Sequence, residues 1–351
     1  MEDEIYHQLR EFLDGLPGGM PATPTGVEIG LLERYFSPEE AALFLHLNPY
    51  PEAPGAIAER AGMDAGAAAT MLESMAKQGS VFRVRFEDQV FYMAMSLLVG
   101  IYEFHVGSMD RELAQMLEEY LPYLTDYWAD IKTKQLRVVP VAEAVDAMPE
   151  VATYDRAREM ARGFDDIAVA DCICRVEKSL LDQRCSRPLE SCLVFGNAAR
   201  YYIENGIGRE IDIDECMRIL DRAEEAAMVL CPSNAQDIAN ICCCCSCCCG
   251  MLNALRRVDR PADHALSSFR AAIDPELCVE CGTCLERCQI DAIVERDGFM
   301  EVDEARCIGC GLCVPTCVEG AASLQAKPGI QAPPANFVEM NARILKERGL
   351  A

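Results

Sequence analysis

The spacing Cys278-x2-Cys281-x2-Cys284-x3-Cys288 recurs as Cys307-x2-Cys310-x2-Cys313-x3-Cys317, and Ile273-Asp274 ahead of the first run answers Val302-Asp303 ahead of the second. A four-iron cubane needs four thiolates converging on the corners of a small inorganic core. Three cysteines stepped in this way wrap a tight loop around three corners. The fourth lies on a short following helix, too far round to reach the same core, and in this arrangement it serves the other one. The spacing assigns Cys278, Cys281, Cys284 and Cys317 to one [4Fe–4S] cluster, and Cys307, Cys310, Cys313 and Cys288 to a second. Zinc sites ask instead for two well-separated Cys-x2-Cys pairs. Gly282, Gly309 and Gly311 let backbone amides approach the cluster sulfurs, and such N–H donors stabilise the reduced, more negative cluster.

These motifs resemble the two-cluster, bacterial-type [4Fe–4S] ferredoxins. The resemblance implies a ferredoxin-like fold and an electron-carrying role for this part of the chain. One departure is visible. The family usually has Pro after the fourth cysteine of each run, and here Gln289 and Val318 stand there. The expected consequence is a change in local hydrogen bonding or potential rather than in the ligand set.

Thirteen of the 21 cysteines lie outside this module, and seven of those fall between Cys242 and Cys249 with only Ser246 intervening. Met1 to Arg10 is polar and charged, with no basic segment leading into an apolar one, so no signal peptide is expected. The longest apolar stretch, Val90 to Val106, is broken by Ser96, Gly100, Glu103 and His105, too short and too polar to span a bilayer. The expectation is a soluble, cytoplasmic protein. Disulfides are disfavoured in that reducing compartment, and metal ligation is the default reading of the cysteines.

Four segments are expected: a helical, winged-helix-like domain (1–130), a Cys-rich mixed α/β domain (131–265), the ferredoxin domain (266–326) and a tail helix (327–351). The fold class is α+β multidomain. In the first segment Ser37, Pro38 and Glu40 form a capping box. Helices are predicted over Glu39 to Leu47, Pro54 to Ala61 and Ala65 to Gln78, followed by a hairpin from Val81 to Phe86 and Val90 to Ala94. That order resembles a winged helix. Its third helix carries Asp64, Glu73 and a single Lys77, which is poor equipment for a DNA groove, so protein docking or dimerisation is the expected role. In the second segment Leu136 to Val141 and Ile167 to Ala170 read as strands and Tyr154 to Arg162 as a helix. Asp212 with Glu215 opens a helix through Leu230. A further helix is expected near Val338 to Arg348, strapping back onto the body.

The middle cysteines comprise Cys172, Cys174, Cys185 and Cys192, then Cys242, Cys243, Cys244, Cys245, Cys247, Cys248 and Cys249. No packing requirement calls for so dense a run. An extended strand offers alternate residues to opposite faces, so the run can present ligands on both. Cys172-x-Cys174 puts two thiols on one face of a strand end, with Arg175 to neutralise thiolate or cluster charge. At least one further iron–sulfur cluster is expected here, ligated by Cys172 or Cys174, Cys185 or Cys192, and members of the run. A four-thiolate zinc site and a thiol–disulfide relay compete with that reading, and some of these thiols stay unligated under any of them. Cys216 and Cys231 read as small core residues of an amphipathic helix. The layout as a whole resembles a family of large cytosolic 4Fe–4S proteins of anaerobes, which implies a clustered middle domain and names no substrate.

A formal charge of −25, from 32 basic and 57 acidic side chains, repels phosphate backbones and disfavours nucleic-acid binding. It suits docking on a basic patch of a soluble redox partner. There is no dinucleotide glycine fingerprint and no P-loop, and His7, His46, His105 and His264 are scattered. The sequence points to an electron-transfer protein or a subunit of an oxidoreductase. Alternatives are an enzyme whose middle cluster keeps an open coordination position for substrate, and a redox-responsive winged-helix regulator. The same N-terminal domain is a candidate for homo-oligomer contacts.

Overall fold

A computed structural model describes residues 2–129, 131–145, 148, 150–329 and 331–350. It is a mixed α/β structure with small antiparallel sheets. The N-terminal part begins with helices Glu2–Asp14, Val27–Tyr35 and Pro38–Phe44. Ser37 and Glu40 cap the last reciprocally, as their spacing dictates. Helices Pro54–Ala61 and Ala65–Gln78 follow, then strands β1 (Phe82–Phe86) and β2 (Gln89–Met93), paired Phe82 to Met93 through Phe86 to Gln89. A long helix, Arg111–Ala129, closes this part.

Between the hairpin and that helix the backbone is strained. Val99 has φ 58° and ψ 47°, a left-handed conformation that a β-branched residue adopts only under constraint. The bend lets Glu103 turn back so that its Oε2 accepts from Gly100 N at 2.9 Å.

The central sheet has strand order β5-β3-β4-β7-β6, from β3 (Ile167–Asp171), β4 (Glu190–Phe195), β5 (Arg209–Glu210), β6 (Val229–Pro232) and β7 (Asn240–Cys244). Register sets Ala170 opposite Cys192, Cys192 opposite Cys242, and Cys242 opposite Cys231. With a side-chain period of two, one face carries Cys192, Val194, Asn240, Cys242, Cys244 and Cys231. The opposite face carries Leu193, Phe195, Ile241, Cys243 and Leu230, and it packs with Ile219 and Leu220 of helix Ile213–Glu225 into an apolar core.

Two expectations for this region are corrected. The helix opened by Asp212 ends at Glu225 rather than Leu230. Ala227 takes a positive φ of 53°, and the uninterrupted apolar run after it is buried as β6, as a run without helical periodicity favours. Cys231 is therefore a strand residue. Leu136 to Val141 forms no strand of its own; it runs beside the sheet through bridges Leu136 to Ser233 and Val139 to Leu230.

The C-terminal module pairs β8 (Phe269–Ile273) with β11 (Ala322–Ala326), and β9 (Ile293–Arg296) with β10 (Phe299–Val302). Its internal repeat is structural as well as sequential. Asp274 Oδ1 accepts from Glu276 N at 2.9 Å and its carbonyl from Cys278 N at 3.1 Å; Asp303 Oδ1 accepts from Ala305 N at 2.9 Å and its carbonyl from Cys307 N at 2.9 Å. Each aspartate turns the chain out of a strand and delivers the first cysteine of its run. Helix Phe337–Glu347 then returns to the body: Arg348 donates to the carbonyls of Leu16 and Asp14, and Glu347 accepts from Thr133 N at 2.8 Å.

Among the described residues no helix is long and apolar enough to cross a membrane.

Candidate metal centres

In the C-terminal module, the loop after β8 and the end of the second cysteine run meet. Cys278, Cys281, Cys284 and Cys317 line one hollow, with Ile273 and Met300 as its apolar walls. Met300 N points at Cys278 Sγ from 3.4 Å, and the Cys281 thiol donates to Thr283 Oγ1 at 3.5 Å. Cys281 is exposed, so this hollow reaches the surface. Its surroundings are apolar and exposed too: Leu277, Val279, Leu285 and Val318, the last at 90%.

The other four thiols face inward. Cys307 and Cys313 are buried, and burial, followed by the charges of the nearby Cys288, Cys313 and Cys307, pushes the Cys310 thiol pKa up. Burial also lifts Cys313, to about 12. Ala271 N approaches Cys307 Sγ at 3.3 Å and Ala292 N approaches Cys288 Sγ at 3.2 Å. Gly309, at φ 70°, has no alternative: a Cβ there would sit 2.1 Å from the Phe269 carbonyl oxygen. Amides aimed at sulfurs suit an anionic iron–sulfur group.

Residues 270–324 match the 4Fe-4S dicluster domain family. The module is an iron–sulfur domain. Among curated proteins and solved structures nothing matches the chain at a significant level.

The iron–sulfur domain is bolted to the middle cysteines by the residue that departs from the ferredoxin pattern. Gln289 is only 4% exposed, and its Oε1 accepts from both Ser246 N and Ser246 Oγ, each at 3.1 Å. A proline there has no such acceptor. Val141 N also donates to the carbonyl of Cys310 at 3.1 Å.

The dense run itself divides into two sites. After β7 the chain leaves the sheet, and Cys245, Cys247 and Cys248 meet Cys185 from the loop ahead of β4. All four sulfurs lie within 4.8 Å of one another. A tetrahedral zinc with Zn–S of about 2.3 Å holds its sulfurs about 3.8 Å apart, so this set is sized for a single ion, whereas a cubane spreads its thiolates over four irons. Arg175 Nη2 approaches Cys245 Sγ at 3.3 Å and Arg187 Nη1 approaches Cys247 Sγ at 3.2 Å. A hydrogen bond from Cys248, reinforced by Arg175, pulls the Cys245 thiol down to about 4 against the opposing effect of burial.

The second site is a cavity of about 80 Å³ lined by Cys172, Cys174, Cys192, Cys242, Cys244 and Cys249, and bordered as well by Cys243, Cys245 and Cys248, so the two sites adjoin. Cys172 is the N-cap residue of helix Ile173–Leu180 and Cys249 that of helix Gly250–Arg257, so a helix start sets the backbone position of each, without a capping bond from the thiol. Cys174 and Cys244 both donate to Cys249, which they hold down at about 6. Arg175 is 2% exposed and spans both sites. It donates to Ser191 Oγ at 2.7 Å and to the Cys243 carbonyl at 3.0 Å, and its buried Nε has no hydrogen-bond partner among the described residues. An unpaired buried donor beside converging thiols fits an anionic metal–sulfur group.

The middle cysteines are thus not one set. Cys185 goes with the end of the run, and Cys172, Cys174 and Cys192 go with its strand part. Cys243 borders the cavity too, but its side chain packs in the apolar core of the opposite sheet face. Cys216 is likewise a buried core residue. Cys231 was legible only as core from the sequence, yet it stands on the thiol face and hydrogen-bonds with Cys244. Two carboxyls beside the cavity also went unread. Burial raises Glu103 and Glu177 to about 7 each, and Glu177 Oε2 accepts from Tyr102 OH at 2.5 Å.

Proposed function

We propose that this protein carries electrons for a soluble redox partner through two [4Fe–4S] clusters, one held by Cys278, Cys281, Cys284 and Cys317, the other by Cys307, Cys310, Cys313 and Cys288. The observation that carries this reading is the exchange of fourth cysteines: Cys317 shares the hollow of the first run, and Cys288 sits among the thiols of the second. Bound there, the clusters supply one-electron storage. The protein's own part is to aim amides at the sulfurs, to bury the second site, and to leave the first open at Cys281.

The exposed apolar collar of Leu277, Val279, Leu285 and Val318, within an acidic surface, supports docking of a partner with an apolar centre and a basic rim. The N-terminal domain is read as a winged-helix-like docking module. Arg83 and Arg85 of its hairpin are occupied by Glu204 of helix Gly196–Glu204, at 2.5 and 2.9 Å, and Tyr201 OH of that helix donates to the Ala76 carbonyl at 2.8 Å. Basic groups committed inside the molecule are not offered to nucleic acid.

For the middle domain we propose a further cluster at the thiol cavity. The set of Cys185, Cys245, Cys247 and Cys248 supports a second reading, a single structural zinc, because of its close sulfur spacing. Iron, acid-labile sulfide and zinc per chain, measured on protein purified without oxygen, test all of this. About twelve iron with about one zinc is expected; about eight iron removes the further cluster, and much less than eight overturns the electron-carrier reading.

A further inference from the structure

Outside the thiol cavity lies a larger one, of about 490 Å³, within the range of small-molecule sites. Its floor is the sheet face bearing Cys192, Val194, Asn240 and Cys242. Its walls are aromatic and thioether side chains, among them Phe82, Phe104 and Met95, and the start of helix Phe337–Glu347 sits at its mouth.

The two cavities share a wall made of Val99, Glu103, Cys192 and Cys242. Val99 is the strained residue, so the backbone is bent at the partition itself. Local strain of this kind costs on the order of 1–3 kcal/mol and gathers at ligand-binding and catalytic positions.

We propose that the larger cavity binds an uncharged aromatic molecule, seated against Cys192 and Cys242. The lining selects this class. Its surface is largely apolar, its ionisable carboxyls are those of Glu103 and Asp237, and no lysine or arginine among the described residues lines it, so nothing there compensates an anion. The side-chain amides of Asn197 and Asn240 and the Glu103 carboxyl supply a few polar contacts to orient the ligand. Binding itself stands on the cavity.

Equilibrium dialysis of the intact, anaerobically purified protein tests the proposal with two matched probes, N-phenyl-1-naphthylamine and its anionic analogue 1-anilinonaphthalene-8-sulfonate. The neutral probe is expected to bind saturably at about one per chain and at least about tenfold more tightly than the sulfonate. Ala198→Trp and Ala239→Phe, which fill the cavity from two directions, are each expected to weaken the neutral probe by at least about tenfold. Iron content and circular dichroism identify a variant that has failed to fold, and the other then decides. No saturable binding, equal binding of the two probes, or full binding in a folded, filled variant overturns the proposal. Because the readout is occupancy, low iron with intact binding would count against the electron-carrier reading alone.

Discussion

In the iron–sulfur domain three thiols of each set come from one short loop, and only the fourth arrives from elsewhere. In the middle domain no set is local. The loop ahead of β4, β4 itself, the strand β7 and the starts of two helices each contribute thiols, and neighbours in sequence point different ways: Cys242 and Cys244 stand on the cavity face of the sheet, the Cys243 side chain lies on the apolar-core face, and Cys245 borders the cavity while meeting Cys185. The difference follows from backbone geometry. A loop wrapped round a core points successive ligands inward at a fixed spacing, whereas a strand alternates them between two faces. Cysteine density therefore says little about ligation until the register is known.

The largest expected effect tests this contrast directly. Cys317→Ser and Cys278→Ser should each remove about four iron per chain, and the double variant no more than either alone, because in the proposed assignment both serve one cluster. Pairing Cys317→Ser with Cys310→Ser should remove about eight. If Cys317→Ser instead acts as one unit with Cys310→Ser, the crossed assignment is wrong.

In the middle domain, Cys245→Ser should remove the proposed zinc and leave the iron of the C-terminal module unchanged, while Cys243→Ala, whose side chain stands on the sheet face opposite Cys242 and Cys244, should alter no metal content. Metal analysis of the two variants side by side checks it, and loss of metal from Cys243→Ala would show that register does not sort this run.

Smaller effects concern the buried groups between the regions. Glu177, 2% exposed and raised to about 7, binds its proton more tightly folded than unfolded. Its contribution to stability is full below the usual glutamate range and is lost as the pH rises toward 7, by up to about 3 kcal/mol. Denaturant unfolding of Glu177→Gln between pH 5 and 7.5 should give a flatter profile than the parent; an unchanged slope would assign the pH dependence elsewhere. The smallest change is expected for Gln289→Ala, which leaves Ser246 N and Oγ without their shared acceptor and should cost about 1–3 kcal/mol, read as a lower denaturation midpoint at unchanged iron content.

Much of the local structure was readable in the residues. Ser37 with Glu40, Asp64 ahead of Ala65, and Gly62 and Gly79 at helix ends set boundaries that the structure keeps. The stretch from Ala226 to Leu230 was misread because a helical cap upstream says nothing about where burial in a sheet takes over.

By itself the sequence determined the iron–sulfur domain. Its spacing is a local code, and the matching aspartate turns ahead of each run are written in adjacent residues. Tertiary structure alone decided which middle cysteines converge, that the Cys231 side chain stands on their face of the sheet and that of Cys243 on the other, that Gln289 reaches Ser246, and that two cavities share the Val99 bend. These depend on strand register and on contacts between residues far apart in the chain, which spacing along the backbone does not encode.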